Sequence, residues 1–150
     1  VLFRSGKVNT QSIMQNLPEI AKINGELQAQ QKTYENDLKS MQDELQRQSD
    51  AYEKGKSTMN ASAQKAKEQE LQTLYQKIQQ AYQDNQTALQ KLQQDKMQPI
   101  TAKLVNAIKV VGDKGGYVYI MDTAAGIPYI SPTLSKDVTA EVKAELAKQN

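Results

Sequence analysis

The chain has 150 residues, of which 38% are hydrophobic and only 5% aromatic, and its formal net charge is +2. It has neither cysteine nor histidine, which excludes disulfides and thiol chemistry and removes the commonest metal ligand and general base. We therefore expect no metal site and no cofactor. No stretch is long and apolar enough to predict a transmembrane helix, and the small positive charge favours acidic partners without indicating nucleic acid.

The N-terminal segment Val1 to Ser5 resembles a translated sequencing adapter, because the codons CTC-TTC-CGA-TCT encode Leu-Phe-Arg-Ser. We interpret it as the start of a truncated fragment and leave it out of the predicted fold; the alternative is an ordinary N-terminal strand. Lys7 to Asn9 predict the end of a β-strand. Thr10 or Ser12 is the predicted N-cap of a short helical turn that ends before Pro18.

Residues 18–98 carry two runs of apolar side chains at heptad spacing, which predicts a long antiparallel coiled-coil hairpin. Gly55 is predicted to end the first helix by adopting a left-handed backbone conformation. Ser57, Asn60 or Ser62 is the predicted N-cap of the second helix. Each arm of roughly 35 residues would be about 50 Å long at ~1.5 Å per residue. The seam positions are Ile20, Leu27, Tyr34, Leu38, Met41, Leu45 and Tyr52 in the first arm, and Leu71, Leu74, Ile78, Ala81, Asn85, Ala88 and Leu92 in the second.

The predicted tip of the hairpin, near residues 55–62, is basic. Between Lys54 and Lys67 there are four lysines and no acidic residue, and Gln64 and Lys67 make the seam polar there. We expect loose packing at the tip. Two interpretations stay open, a solvated turn that needs charge for solubility and a contact site for clients or lipid. The candidate contact residues are Lys54, Lys56, Met59, Lys65 and Lys67.

The C-terminal third predicts short helices around a small sheet. Pro99 is the predicted end of the second arm and the first residue of another helix. Residues 117–121 are the clearest strand, and residues 129–130 predict a second short strand that forms a hairpin with it. Because both faces of the first strand are apolar, we expect one face to pack on the flanking helices and the other on another subunit. Asp137 or Thr139 is the predicted cap of a last helix. The candidate oligomer-interface residues are Tyr117, Val118, Tyr119, Ile120, Met121 and Ile130.

Together these elements predict an α+β chain that is mainly α. A β-containing oligomerisation body would comprise residues 6–17 and 99–150, and the coiled-coil arm of residues 18–98 would be inserted in it. The two ends of such an insertion return to the same body, so we expect the arm to be anchored at one end only.

Catalysis is not indicated by the sequence. The glycines at positions 112, 115 and 116 lack the spacing of a phosphate loop. Carboxylates such as Asp43 and Glu44 lie on a solvated face with no apolar pocket to raise a pKa. The tyrosines of the hairpin have helical spacing, which favours packing in the seam and on its flanks over the stacking of nucleic-acid bases. These tyrosines are Tyr34, Tyr52, Tyr75 and Tyr82.

Several segments together resemble the Skp/OmpH family of periplasmic chaperones. The most specific segments are residues 116–122 (Gly-Tyr-Val-Tyr-Ile-Met-Asp) and residues 137–139 (Asp-Val-Thr). The rest of the resemblance, which extends over residues 7–149, is carried by residues 8–14, residues 68–72 and Pro99-Ile100.

The resemblance implies a homotrimer of jellyfish-like architecture, in which three β-bodies join and three coiled-coil arms surround a cavity. It also implies an ATP-independent holdase that keeps unfolded outer-membrane β-barrel proteins soluble in the periplasm of Gram-negative bacteria. A signal peptide is then expected upstream of the truncated start. Anionic lipid or lipopolysaccharide is a further implied partner, and the resemblance assigns no particular basic residues of this chain to such a site.

Two other functions fit the same elements. A structural adaptor of an envelope export complex would dock one defined protein at the tip of the hairpin. A prefoldin-like cytosolic chaperone would also hang coiled coils from a β-body, but its gene would encode no signal peptide. An enzyme is the third alternative, and the lack of histidine, cysteine and a phosphate loop argues against it.

Overall fold

The structure is a computed structural model that describes residues 3–149, so our interpretation of Val1 and Leu2 lies outside the described residues. The chain forms two compact units: one comprises residues up to Asn24 and from Gln94 onward, and the other is Gly25–Gln93. In chain order the elements are β1 (Arg4–Val8), α1 (Thr10–Gln15), α2 (Pro18–Gly55), a 3-10 turn (Lys56–Thr58), α3 (Ala61–Gly115), β2 (Tyr117–Asp122), a second 3-10 turn (Thr123–Ala125), β3 (Ser135–Asp137) and α4 (Thr139–Ala147). The predicted α+β class, mainly α with a long helical hairpin and a small sheet, is confirmed.

The sheet of the first unit has three parallel strands in the order β2-β1-β3. In the central strand, Gly6 lies opposite Ile120 on one side and Lys136 on the other. A β-carbon on Gly6 would come within 3.1 Å of Ile120 Cγ1 and 3.3 Å of Tyr117 Cδ1. Because glycine has no β-carbon, the side chains of Ile120 and Tyr117 can pack closely against the central strand at this position.

Two predictions about the strands are wrong. Arg4 and Ser5 belong to β1 and were wrongly left out of the fold; the Arg4 guanidinium also lies 4.7 Å from the centre of the Tyr117 ring. Residues 129–130 form no strand, because the prolines on either side of them remove backbone donors that a sheet needs. The third strand is β3, which pairs with β1 in parallel instead of forming a hairpin with β2.

The predicted caps of the two short helices are each displaced. α1 begins after Asn9, whose side-chain oxygen accepts a hydrogen bond from the Ser12 N–H at 3.0 Å, so Thr10 and Ser12 both lie inside the helix. α4 begins after Val138, which has no capping side chain. Asp137 instead accepts hydrogen bonds from the backbone N–H and the hydroxyl of Thr139, at 3.0 and 2.6 Å.

Helix α3 continues without interruption through Pro99, so the predicted helix end at that residue is wrong. A proline inside a helix removes one hydrogen bond and costs about 3 kcal/mol. Beyond the proline, Leu104, Ala107 and Val111 are buried in the core of the first unit. Burying an aliphatic side chain contributes about 1.5–3 kcal/mol, and this packing offsets the cost of the proline.

The first unit has one core, formed mainly by β1, α1, α3 and α4, and Tyr117 and Ile120 of β2 pack against it. Its buried members are Val8, Ile13, Leu104, Ala107, Val111, Val138, Val142 and Leu146. A polar junction lies beside this core, where Asp122 accepts hydrogen bonds from the Thr10 hydroxyl at 2.5 Å, the Thr10 N–H at 3.3 Å and the Ala124 N–H at 3.0 Å. Burial opposes the charge of Asp122, but these hydrogen bonds outweigh it and hold its pKa below its usual value.

The second unit is the helical hairpin. Its predicted seam positions are buried or half-buried on both helices, and Tyr52 and Ile78 are the most buried of them. Asn60 is the N-cap of α3, because its side-chain oxygen accepts a hydrogen bond from the Ala63 N–H at 2.8 Å. Gly55 has φ −102°, so the predicted left-handed stop is wrong. The chain leaves α2 through the 3-10 turn, in which the Thr58 hydroxyl donates to the Gly55 carbonyl at 2.8 Å.

Candidate functional site

The tip of the hairpin is hydrogen-bonded where the sequence predicts loose packing. The side-chain amide of Gln64 donates to the carbonyl oxygens of Lys56 and Met59, at 2.9 and 3.2 Å. The Tyr52 hydroxyl donates to the Glu68 carboxylate at 2.6 Å, and this bond raises the pKa of Tyr52 to about 12. The polar seam residues therefore connect the end of α2 to the start of α3.

The candidate lysines at the tip divide into two pairs. Lys56 forms an ion pair with Glu53 at 2.6 Å, and Lys67 forms one with Glu70 at 3.0 Å. Within residues 3–149, Lys54 and Lys65 form no ion pair, and both are exposed. The tip is thus less basic than its sequence suggests, because acidic residues from outside the interval 54–67 reach two of its lysines. Met59, the fifth candidate, is half-buried beside them.

A carboxylate farther along the hairpin illustrates the same surface chemistry. Glu44 accepts hydrogen bonds from Arg47, at 2.5 Å, and from Gln48, at 2.7 Å. These bonds lower the pKa of Glu44 to about 2. A carboxyl group that acts as a general acid near neutral pH needs a raised pKa. The pKa of Glu44 is lowered, which is the opposite of what that role requires.

Strand β2 presents an exposed apolar face. Tyr117 and Ile120 pack against the core of the first unit, whereas Val118, Tyr119 and Met121 are between 40% and 57% exposed. β2 is also an edge strand of the sheet. Two of the candidate interface residues thus pack on the chain's own core and three are exposed, of which Tyr119 and Met121 share one face of β2. Ile130 is half-buried.

A cavity of about 340 Å³ continues this apolar face. Its lining includes Tyr119, Met121, Tyr129, Ile130 and Leu134. Tyr129 and Leu134 are among the most exposed large hydrophobic residues of the described chain. The sequence did not single out Leu134, because it lies in an irregular segment where no strand or helix periodicity marks an outward position. The apolar surface is therefore larger than β2 alone.

Within the described residues, none of the helices combines the length and the hydropathy needed to cross a bilayer. Across the same part of the chain, no three acidic, histidine or cysteine side chains converge in a way that suits a metal ion. The tip of the hairpin and the apolar face of β2 are two candidate surfaces for recognition.

Comparisons with known proteins agree on one family. Residues 4–146 match the profile of the family described as outer membrane protein (OmpH-like). The chaperone protein Skp of Yersinia enterocolitica is 32% identical over 139 residues, a match that covers 90% of this chain and 80% of the relative. The chaperone protein Skp of Pectobacterium atrosepticum is 28% identical with the same coverage.

A solved structure shows the same fold. A putative outer membrane chaperone (OmpH-like) from Caulobacter crescentus superimposes with a TM-score of 0.82. The superposition covers 100% of this chain and 87% of the other, at 17% sequence identity. At that identity the likeness is evidence of the fold alone.

Proposed function

The chain belongs to the Skp/OmpH family, and from this premise we propose that it is an ATP-independent holdase chaperone of the periplasm. Its clients are unfolded outer-membrane β-barrel proteins, whose aggregation it prevents. The observation that carries the proposal is the family match over residues 4–146, together with relatives that are named chaperones. Chaperones of this kind act by binding, so the function needs no catalytic site.

The working assembly in this proposal is a homotrimer. Support comes from β2, an edge strand whose side chains Val118, Tyr119 and Met121 are exposed in the single chain. An exposed apolar strand edge promotes uncontrolled pairing with other chains. Contact between copies along β2, Ile130 and the adjoining cavity would cover this surface.

The proposed mechanism is weak binding at many points. The helical hairpins of three copies would surround one client, and each contact would be individually weak. Because the hairpins are tethered, successive contacts reinforce one another through their effective concentration. An enclosed client cannot pair its strand edges with those of another unfolded chain, so aggregation is prevented without nucleotide hydrolysis.

The tip lysines add an electrostatic contribution in this proposal. Lys54 and Lys65 are exposed and form no ion pair within the described part of the chain. They would attract acidic client segments or anionic head groups, including those of lipopolysaccharide. Exposed charges are screened over about 8 Å at physiological salt, so this contribution weakens as salt rises.

The proposal is tested by measuring the mass of the complex. A urea-unfolded outer-membrane barrel is diluted into the protein without nucleotide, and the mixture is separated by size and weighed by light scattering. We expect one client bound to about three chains, and no complex when the same barrel is first folded in detergent. A folded, oligomeric protein that elutes free of the unfolded barrel would contradict the holdase function.

A further inference from the structure

Helix α3 carries a seven-residue repeat over residues 71–91 that includes more than its apolar seam. With Leu71 as position a, the seam consists of positions a and d. The three e positions are apolar, the three b positions are all glutamine, and every charge of the segment lies at g. These residues are Tyr75, Tyr82 and Leu89 at e, Gln72, Gln79 and Gln86 at b, and Lys77, Asp84 and Lys91 at g.

The tyrosines at position e lie outside the seam. Tyr75 is 50% exposed and Tyr82 is 57% exposed, whereas the seam residue Ile78 between them is 7% exposed. Tyr52 is buried and Tyr34 half-buried. Tyr52 and Tyr34 thus lie in the seam, whereas Tyr75 and Tyr82 lie on its flank and stay half-exposed, because e positions are at the margin of a two-helix seam.

Positions e and b are neighbours on the helix surface, since residues three and four apart share a face. Tyr75 therefore lies between Gln72 and Gln79, and the pattern recurs one heptad later. We call the surface of the e and b residues the aromatic strip. It has no charged residue, and from Tyr75 to Leu89 it is about 21 Å long at ~1.5 Å per residue. The g positions, which hold the charges, flank the opposite side of the seam.

We propose that the aromatic strip binds extended apolar segments of unfolded polypeptides. This inference rests on the proposed chaperone function and assigns a client contact to particular residues. The half-exposed tyrosine rings offer apolar surface that loses little conformational freedom on binding. The glutamine amides between them both donate and accept hydrogen bonds, so they suit the backbone of an extended segment of any sequence.

The size and the neutrality of the strip match that occupant. An extended chain advances about 3.3 Å per residue, so the strip spans roughly six client residues. Strands of outer-membrane barrels alternate apolar and polar side chains and carry aromatic residues near their ends. The strip has no charged side chain of its own, so an apolar segment that covers it leaves no charge of the strip buried and unpaired. The strip can therefore accept segments whatever the sign of their charges.

The exposed area argues against a second copy of the chain as the stable occupant. A fully buried tyrosine contributes 150–250 Å², so each half-exposed ring offers about 100 Å². The strip therefore presents a few hundred Å², below the roughly 800 Å² per partner of a stable protein interface. A surface of this size holds a partner only briefly, as a chaperone that releases its client without nucleotide requires.

The strip also differs from the tip in its response to salt. Contacts of Lys54 and Lys65 with acidic groups weaken as salt rises. Contacts with the neutral strip persist, because apolar association is not screened by ions. We therefore expect the strip to account for most of the client binding that remains at high salt.

The test is a binding titration with a fluorescently labelled, urea-unfolded outer-membrane barrel, at about 0.5 M salt, where charge contacts are screened. The double variant Tyr75→Gln/Tyr82→Gln removes the rings and keeps the helix, because glutamine has a higher helix propensity than tyrosine. We expect its affinity to fall on the order of tenfold. Circular dichroism and the oligomer mass verify that the fold and the assembly are unchanged.

A matched pair of charge variants separates position from charge. Gln79→Glu/Gln86→Glu adds two carboxylates to the strip, and Gln83→Glu/Gln90→Glu adds two at position f on the same helix. We expect the first variant to lose affinity several-fold, because a carboxylate beside the rings must be desolvated when an apolar segment binds. The second variant should bind as the unaltered protein does.

The outcomes distinguish the strip from the chaperone function itself. Unfolded barrel that binds both the unaltered protein and the tyrosine variant equally would overturn the strip and leave the function intact. A tyrosine variant whose oligomer mass falls before any client is added would assign the strip to a second copy and also overturn the proposal. An unaltered protein that binds no unfolded barrel would refute the proposed function and the strip with it.

Discussion

Thr10 and Asp122 connect the start of α1 to the end of β2, and their hydrogen bond sets a quantitative test of the first unit. Thr10→Val keeps the shape of the side chain and removes the hydroxyl that donates to Asp122 at 2.5 Å. A hydrogen bond to a charged group contributes about 1.5–3 kcal/mol. Because the pair is only part-buried, we expect a loss near or just below the lower end of this range, about 1–2 kcal/mol at neutral pH.

The pH dependence of this loss follows from the pKa of Asp122, which lies below its usual value in the folded chain. The folded state therefore binds a proton less readily than the unfolded state. The stabilising contribution of Asp122 is complete above the unfolded pKa of about 3.9 and is lost as pH falls through the lower folded pKa. Thr10→Val should accordingly destabilise the protein at neutral pH and have a much smaller effect in acid.

Urea denaturation at neutral pH and in acid, below the unfolded aspartate pKa of about 3.9, measures this difference, because the contribution of Asp122 is lost as the pH falls. The chain concentration is held fixed, since the stability of an oligomer depends on it. Thr87→Val, which alters an exposed threonine of α3, is the control and should change the free energy of unfolding by less than about 0.5 kcal/mol. An equal loss at both pH values, or no loss at neutral pH, would refute this assignment of Asp122.

Four further changes have defined outcomes. Gly6→Ala should destabilise the chain by about 1–3 kcal/mol in urea denaturation, because the added carbon contacts Ile120 and Tyr117 closely. Gly25→Ala, inside α2 with nothing within 4 Å of the new carbon, should stabilise it by about 0.5–1 kcal/mol. Tyr119→Asp should lower the oligomer mass in analytical ultracentrifugation, because an unpaired charge would be buried between copies. Lys54→Gln/Lys65→Gln should weaken capture of unfolded barrels at low salt, without changing the oligomer mass.

Matched variants control the last two changes. Lys136→Asp alters an exposed residue of β3, away from the apolar face of β2, and should leave the oligomer mass unchanged. Lys56→Gln/Lys67→Gln neutralises the two tip lysines that already form ion pairs and should weaken low-salt capture less than the Lys54/Lys65 pair does. Equal capture by the Lys54/Lys65 variant and the unaltered protein would show that the tip does not contribute to client binding.

The helical hairpin could be predicted from sequence because its signal is local and repeated. Apolar residues at heptad spacing specify a seam without reference to distant parts of the chain. The parallel sheet had no such signal: residues 135–137 are Ser-Lys-Asp, which have little strand propensity, and they form β3 only because β1 pairs with them. The helix end predicted at Pro99 was wrong for the same reason, because the tertiary packing that offsets the cost of the proline is not visible in the local sequence.

The candidate sites show a similar division. The lysine cluster was evident as a run in the sequence, but its ion pairs depend on Glu53 and Glu70, which lie outside that run. The aromatic strip had a sequence signal, the repeat of Tyr75, Tyr82 and Leu89 at position e. Periodicity alone assigned its tyrosines to helix packing, and their exposed fractions in the structure were needed to place them on the surface.

The most direct test of the holdase function is the light scattering of a urea-unfolded outer-membrane barrel diluted into buffer with increasing amounts of the protein and no nucleotide. We predict that scattering decreases with each addition and disappears at about three chains per client. Undiminished scattering, from protein shown to be folded and oligomeric in the same buffer, would contradict the holdase function.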